Sequence, residues 1–326
     1  MSDAALDPGA TSVGKTPLRA AALPLAMFGA LVVLPLVFGA DYALNLVERV
    51  MIVAIAALGL DLIVGFGGLI SFGHAAFIGL GAYAVGILAF HGYGDALVAL
   101  PAALGLAALF AALTGAICLR TRGVYFIMIT LAFGQMAFFT ASSLAPYGGD
   151  DGMTLAARST VAGFPLLADE RAFYYATFAC LLAVYLLCRA LVASRFGRVL
   201  RGAKENPARI AALGYEVFRY QLAAYVISGT IGGVAGFLLA NATNFISPAY
   251  MSWQRSGELI VTVMFGGIGT LDGAVLGAAA YILLSEYLSQ WTEHWPMIFG
   301  PLLVAVVLVA PGGLIGVFRR LWGRRP

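Results

Sequence analysis

The sequence predicts an all-α fold: a polytopic helical bundle of about ten membrane segments, some interrupted at glycines, with an internal repeat. Three observations carry this. Of 326 residues, 61% are hydrophobic and 11% charged, and mean hydropathy is +0.93, whereas a soluble domain keeps about a quarter of its residues charged. The apolar residues form continuous runs, not alternations, which selects helices over a barrel. The few charges collect between the runs, where spans must end.

The runs cover about 20–40, 50–66, 73–90, 96–118, 123–144, 172–193, 220–243, 257–270, 273–290 and 297–312. Residues 1–19 read as a polar cytoplasmic tail, because no cleavage pattern follows the first apolar run. Gly9 to Thr16 (GATSVGKT) matches a phosphate-binding loop. That chemistry needs a strand before it and a helix after it, so that backbone N–H groups converge on the phosphates. Pro17 follows directly and no soluble nucleotide domain completes a site, so the match is fortuitous. Runs 50–66 and 257–270 are short and end in glycine, as broken or re-entrant helices do. Polar loops 146–171 and 195–219 and a basic tail, 319–326, punctuate a membrane domain spanning 20–318.

Basic residues set the orientation. With ten crossings and both termini in the cytoplasm, fifteen of the nineteen Lys and Arg residues face inward. The outside keeps Arg49, Arg158, Arg171 and Arg255, together with most of the acids. Shifting the count by one scatters the basic loops.

The segment RFGRVLRGAKENPARIAALGYEVFR, Arg195 to Arg219, carries six basic and two acidic residues. One reading is a positive-inside anchor. Its internal order supports a second, a docking element. Asn206 suits a helix N-cap and Pro207 the first helical position. Gly214 suits the residue just past the helix end. The helix between them, about 207–213, exposes the small residues Ala208, Ala211 and Ala212, over which another surface can approach closely.

Phe66-Gly67-Gly68-Leu69 and Phe265-Gly266-Gly267-Ile268 each close a short run. Each is followed by a polar knot, with Gly73 in the first and Gly269 in the second, and then by a helix of small residues. Aligned, Gly79 meets Gly277 and Tyr83 meets Tyr281, the pattern of a parallel two-fold repeat. Gly232-x3-Gly236 and Gly273-x3-Gly277 favour close helix packing within the chain.

Ionisable and amide groups inside lipid are expensive and mark pathways or structural links. The pathway candidates are Asp61, Ser71, His74, Gln135, Asn241 and Glu258. For His74, and for Asp272 at the inner turn, the competing reading is capping of freed backbone at helix breaks. The three cysteines, Cys118, Cys180 and Cys188, read as small buried hydrophobes without metal-ligand spacing. No HExxH or GxSxG motif is present, so no catalytic residue, metal or cofactor is expected in this chain, and nothing points to nucleic acid.

Gly59 to Tyr83 (GLDLIVGFGGLISFGHAAFIGLGAY), Val124 to Met136 (VYFIMITLAFGQM), Tyr147 to Thr154 (YGGDDGMT) and Gly266 to Ala278 (GGIGTLDGAVLGA) resemble, in order, the blocks of branched-chain amino acid ABC transporter permeases. Ala211-Ala212-Leu213-Gly214 is similar to that family's coupling loop, and the GGDDG block resembles its LivM-type subunit. The resemblance covers about residues 45–318.

It implies a cell inner membrane protein forming half of a pore, with a LivH-like permease as the other half. Two ABC ATPases would carry ATP-Mg, and a periplasmic binding protein would deliver substrate to the outer loops. Glu205, Asn206, Pro207, Ala208, Arg209, Ala211, Ala212 and Gly214 would then contact an ATPase. Two residues depart from the family's habit: Asp61 stands where Asn is frequent, and Asp272 where Trp or an apolar residue is. Either carboxylate would suit another ligand, so urea, short amides and aromatic carboxylates stand beside amino acids. A stand-alone secondary transporter would need Asp61 as its ion-coupling group and would leave the docking helix without a role.

Overall fold

A computed structural model describes residues 17–37, 41–291, 294, 297–301 and 312–316. The phosphate-loop match, most of the tenth run and the basic C-terminal tail lie outside the described residues.

The first nine expected runs are all helical. α1 (Pro17–Val37) and α2 (Asp41–Asp61) open the bundle, and α2 continues into a wider π-helical turn, Leu62–Phe66. α3 (His74–Phe90), α4 (Ala96–Cys118), α5 (Val124–Ser142) and α6 (Glu170–Ala193) follow. α7 (Arg195–Glu205) and α8 (Pro207–Ala212) fill the basic segment. α9 (Val217–Thr243), α10 (Trp253–Gly266) and α11 (Leu271–Ser289) complete the described helices. Six of these helical stretches are long and apolar enough to cross a membrane, α2 with its π turn counting as one.

The second span corrects the expected start at 50. Its helix begins at Asp41 and the crossing runs Tyr42–Phe66. Hydropathy breaks at the adjacent charges Glu48 and Arg49, but the helix does not. Glu48 is turned into the protein interior, and Arg49 reaches Glu286 of α11 at 3.6 Å.

α2 is the most enclosed span and packs against α6, α9, α10 and α11. α9 fits between α2, α3 and α4. Because lipid is as apolar as Leu, burial does not drive these contacts; close backbone approach does. A side chain at Gly236 would collide with the Ile78 backbone of α3, and one at Gly233 would meet Ala103 and Ala107 of α4. Gly277 lies as tightly on Thr262 and Gly266 of α10. These glycine pairs therefore pack within the chain. Ser228 Oγ adds a hydrogen bond to the Gly59 carbonyl at 2.6 Å, joining α9 to α2.

α4 and α5 lie at the periphery and expose Leu97, Leu109, Leu113, Tyr125, Met128 and Phe139, as helices facing lipid or another membrane subunit must. The loop between α5 and α6 is folded: β1 (Met153–Thr154) pairs antiparallel with β2 (Phe245–Ile246), with Met153 opposite Ile246. The two glycine turns share a form but not a setting. α10 folds back along α11, whereas α3 packs mainly on α4 and α9.

Candidate functional site

Two regions bear on function, at opposite ends of the bundle. At the end away from α7 and α8, helices α2, α3, α9, α10 and α11 surround a cavity of about 400 Å³, within the range of small-molecule pockets. Its walls are apolar: Ile52, Val53, Ile78, Leu239, Leu259 and Ile282. Arg49, Thr243, Tyr250, Arg255 and Glu258 also line it. Arg255 Nη1 donates to Glu258 Oε2 at 2.8 Å. Arg49 is paired with Glu286, which also accepts from the Tyr42 hydroxyl at 2.6 Å. The hydroxyls of Thr243 and Tyr250 lie 3.3 Å apart. The cavity thus offers cationic and anionic groups beside branched aliphatic walls.

Of the six pathway candidates, Glu258 lines this cavity. Ser71 is buried, and its Oγ accepts from the Gly73 N–H at 3.3 Å. His74 is buried at the start of α3, edge-on to Phe77 with ring centroids 5.5 Å apart. The neighbouring Ala75 N–H donates to Ser256 Oγ of α10 at 3.0 Å. Gln135 lies half-buried on α5. Asn241 is a tether: its Oδ1 accepts from Ser159 N–H at 2.7 Å, and its carbonyl accepts from Arg158 Nε at 3.1 Å.

Asp61, the last residue of α2, is buried and does not line the cavity. Its Oδ1 accepts from the Gly269 N–H at 2.8 Å, which joins the two glycine turns. Gly65 between them has no room for a side chain, since a Cβ there would overlap Asp61 Oδ1 and the Gly269 backbone. Gly68, Gly267 and Gly269 have positive φ, while Gly67 does not. Gly73 is fitted against the Thr130 backbone, and Gly266 against that of Gly273. Asp272 accepts from Tyr185 Oη at 2.6 Å and so links α11 to α6.

The second region is the α7–α8 pair. α7 was not expected as a separate helix, because its arginines mask a narrow apolar face: Val199, Leu200 and Ala203 are buried while Arg195, Arg198 and Arg201 are exposed. α8 has no buried residue, and a helix so short is unstable without end caps. Both caps are present. Asn206 Oδ1 accepts from Arg209 N–H at 3.0 Å. At the other end Gly214 has φ +86°, and its N–H and that of Tyr215 donate to the Ala211 and Ile210 carbonyls, a Schellman closure. The structure thus presents Ala208, Arg209, Ala211, Ala212 and Leu213 on an exposed, doubly capped turn of helix.

Sequence reasoning passed over Glu48, Arg49 and Arg158, and placed Lys204 only as a flank of the docking helix. Only Lys204 carried a signal, as part of the basic segment; its partner is 139 residues away.

The sequence matches the family described as branched-chain amino acid transport system / permease component, over residues 42–310. It is 28% identical over 301 residues to the high-affinity branched-chain amino acid transport system permease protein LivM of Salmonella typhimurium, covering 85% of this chain and 71% of that one. To LivM of Escherichia coli it is 29% identical over 293 residues, 82% and 69% of the two chains. To the permease protein LivH of Salmonella typhimurium it is 31% identical over 151 residues, 45% and 47% of the two. No solved structure matches it.

Proposed function

The chain belongs to the branched-chain amino acid transport permease family and is of the LivM type, and from that premise we propose that it forms half of the pore of an ATP-driven importer for branched-chain or other hydrophobic amino acids. A LivH-like permease supplies the other half. Two ABC ATPases hold ATP-Mg and dock on α8, and a periplasmic binding protein delivers substrate at the opposite face. The chain is a multi-pass protein of the bacterial inner membrane with both termini cytoplasmic, the orientation that its basic residues favour.

The observation that carries this reading is α8, with no buried residue, an exposed outer face and a cap at both ends. A stand-alone carrier has no use for a rigid cytoplasmic turn of helix, whereas an ATP-driven pump needs one to transmit the ATPase motion. The cavity supports the substrate class. An amino acid has a carboxylate for Arg49 or Arg255, an ammonium for Glu258, and an aliphatic side chain for the Ile52, Val53 and Leu259 walls. Urea has no use for the aliphatic walls.

The test is uptake of labelled leucine in cells lacking only this chain, with urea and benzoate in parallel. Loss of leucine uptake, restored by the wild-type chain, is the expected result. Intact leucine uptake with loss of another solute overturns the amino-acid reading.

A further inference from the structure

Lys204 closes the last turn of α7, immediately before the N-cap of α8. Its Nζ leaves the helix surface and donates to the Gly65 carbonyl in the π-helical turn after α2, at 2.7 Å. Its aliphatic stem lies so close to Gly68 that a Cβ there would come within 2.8 Å of Lys204 Cγ. A second cation of α7 reaches the same turn: the Arg201 guanidinium stands 5.5 Å from the centroid of the Phe66 ring. On the other side of α7, Gly202 allows close contact with Ile210 of α8, since a Cβ at Gly202 would be 2.6 Å from Ile210 Cδ1. From the π turn the contacts continue through Asp61 to the Gly269 N–H, just ahead of α11. Three regions distant in sequence therefore meet at one polar joint: the end of α7, the π turn after α2 and the second glycine turn ahead of α11, with α8 packed on the other side of α7.

Each contact answers a local electrostatic need. A helix end leaves carbonyls without partners, and a cation there is favourable. The N–H groups that open a helix favour a carboxylate. Asp61 Oδ2 is buried with no hydrogen-bond partner, so the side chain is held by the Gly269 N–H at Oδ1. Removing the cation leaves the Gly65 carbonyl without its side-chain partner.

We propose that Lys204 and Asp61 are positioning residues for coupling: the Lys204–Gly65–Asp61–Gly269 joint carries displacement of the α7–α8 pair into α2 and α11. This rests on the importer reading above. Neither residue need touch the transported solute. Asp61, whose place inside an apolar run suggests a pathway carboxylate, acts here as the link between two turns. An amide at 61 retains the oxygen that accepts from Gly269, so Asp61→Asn keeps the link without the charge.

The experiment compares ATP-dependent leucine uptake with ATP hydrolysis in the complete importer reconstituted in liposomes. Lys204→Met is expected to reach the membrane in normal amount and to retain ATP hydrolysis. Uptake per ATP falls about tenfold, the scale of one lost charge-assisted hydrogen bond. Asp61→Asn alone stays within about twofold of wild type, because the amide oxygen still accepts from the Gly269 N–H. An unchanged ratio of uptake to hydrolysis in Lys204→Met overturns the joint. So does a Lys204→Met defect explained by loss of protein from the membrane, which would make the contact structural only. If the wild-type complex hydrolyses ATP but moves no amino acid, the importer reading falls, and the joint falls with it.

Discussion

At the scale of single residues, similar symbols in the sequence have different structural meanings. Gly65 and Gly214 are both glycines beside helix ends, yet one is fixed by space and the other by backbone conformation. At Gly65 a methyl group has nowhere to go, and overpacking of this kind costs about 1–3 kcal/mol or more. Gly65→Ala is therefore expected to lower the amount of protein in the membrane, read by immunoblot. Gly214 has open space around it but φ +86°, where a β-branched side chain costs about 1–2 kcal/mol. Gly214→Val should leave the protein in the membrane and uncouple ATP hydrolysis from uptake, while Gly214→Asn should be tolerated; normal uptake in Gly214→Val would count against α8 as the docking element. Glu258 belongs to the cavity. Glu258→Gln keeps its size and removes its charge, so the KM for leucine uptake should rise by about tenfold at unchanged expression, the scale of one charge-assisted hydrogen bond. A KM within twofold of wild type would remove Glu258 from substrate recognition.

At the scale of elements, the loop between α5 and α6 illustrates how polar groups hold irregular chain at a membrane face. Arg158 donates to the Asn241 and Leu167 carbonyls and lies 4.6 Å from the centroid of the Phe173 ring. The loop is thereby fixed to the ends of α9 and α6. Arg158→Ala should free it, and protease added from the periplasmic side should then cut within 146–171 faster than in wild type. Equal cutting would show that the β1–β2 pairing suffices. Glu48, buried next to this region on α2, explains why hydropathy placed the start of α2 too late: a charge turned toward the interior ends an apolar run in the sequence but not the helix. α7 escaped notice for the complementary reason, since its apolar face is only one residue wide per turn and its charges dominate any average.

At the scale of the whole molecule, both candidate regions touch α2. It is the most enclosed span of the bundle, its middle borders the cavity, and its π-helical end meets Lys204. One helix thus connects the α7–α8 pair with the cavity. The topology itself is testable. With Cys118, Cys180 and Cys188 replaced by serine, a cysteine at Glu205 should react with an impermeant thiol reagent only from the cytoplasmic side, and one at Asp151 only from the periplasmic side. Labelling of both from one side would refute the charge-based orientation.

The sequence by itself determined the membrane class, the helical content, nearly all helix positions and the capped turn at Asn206–Gly214. These follow from local physics: apolar run length, turn residues and caps act over a few neighbouring positions. The blocks that resembled a permease family were also local, and the match over residues 42–310 agrees with them. Only the tertiary structure decided what the polar residues do. Asp61 and Gly269 are 208 positions apart, and Lys204 and Gly65 are 139, so no window along the chain could pair them. In a bundle where lipid removes the hydrophobic drive between helices, such pairings rest on backbone approach and hydrogen bonds, which depend on how helices cross and not on their composition. For the same reason the cavity, drawn from five helices, had no linear signature beyond Glu258.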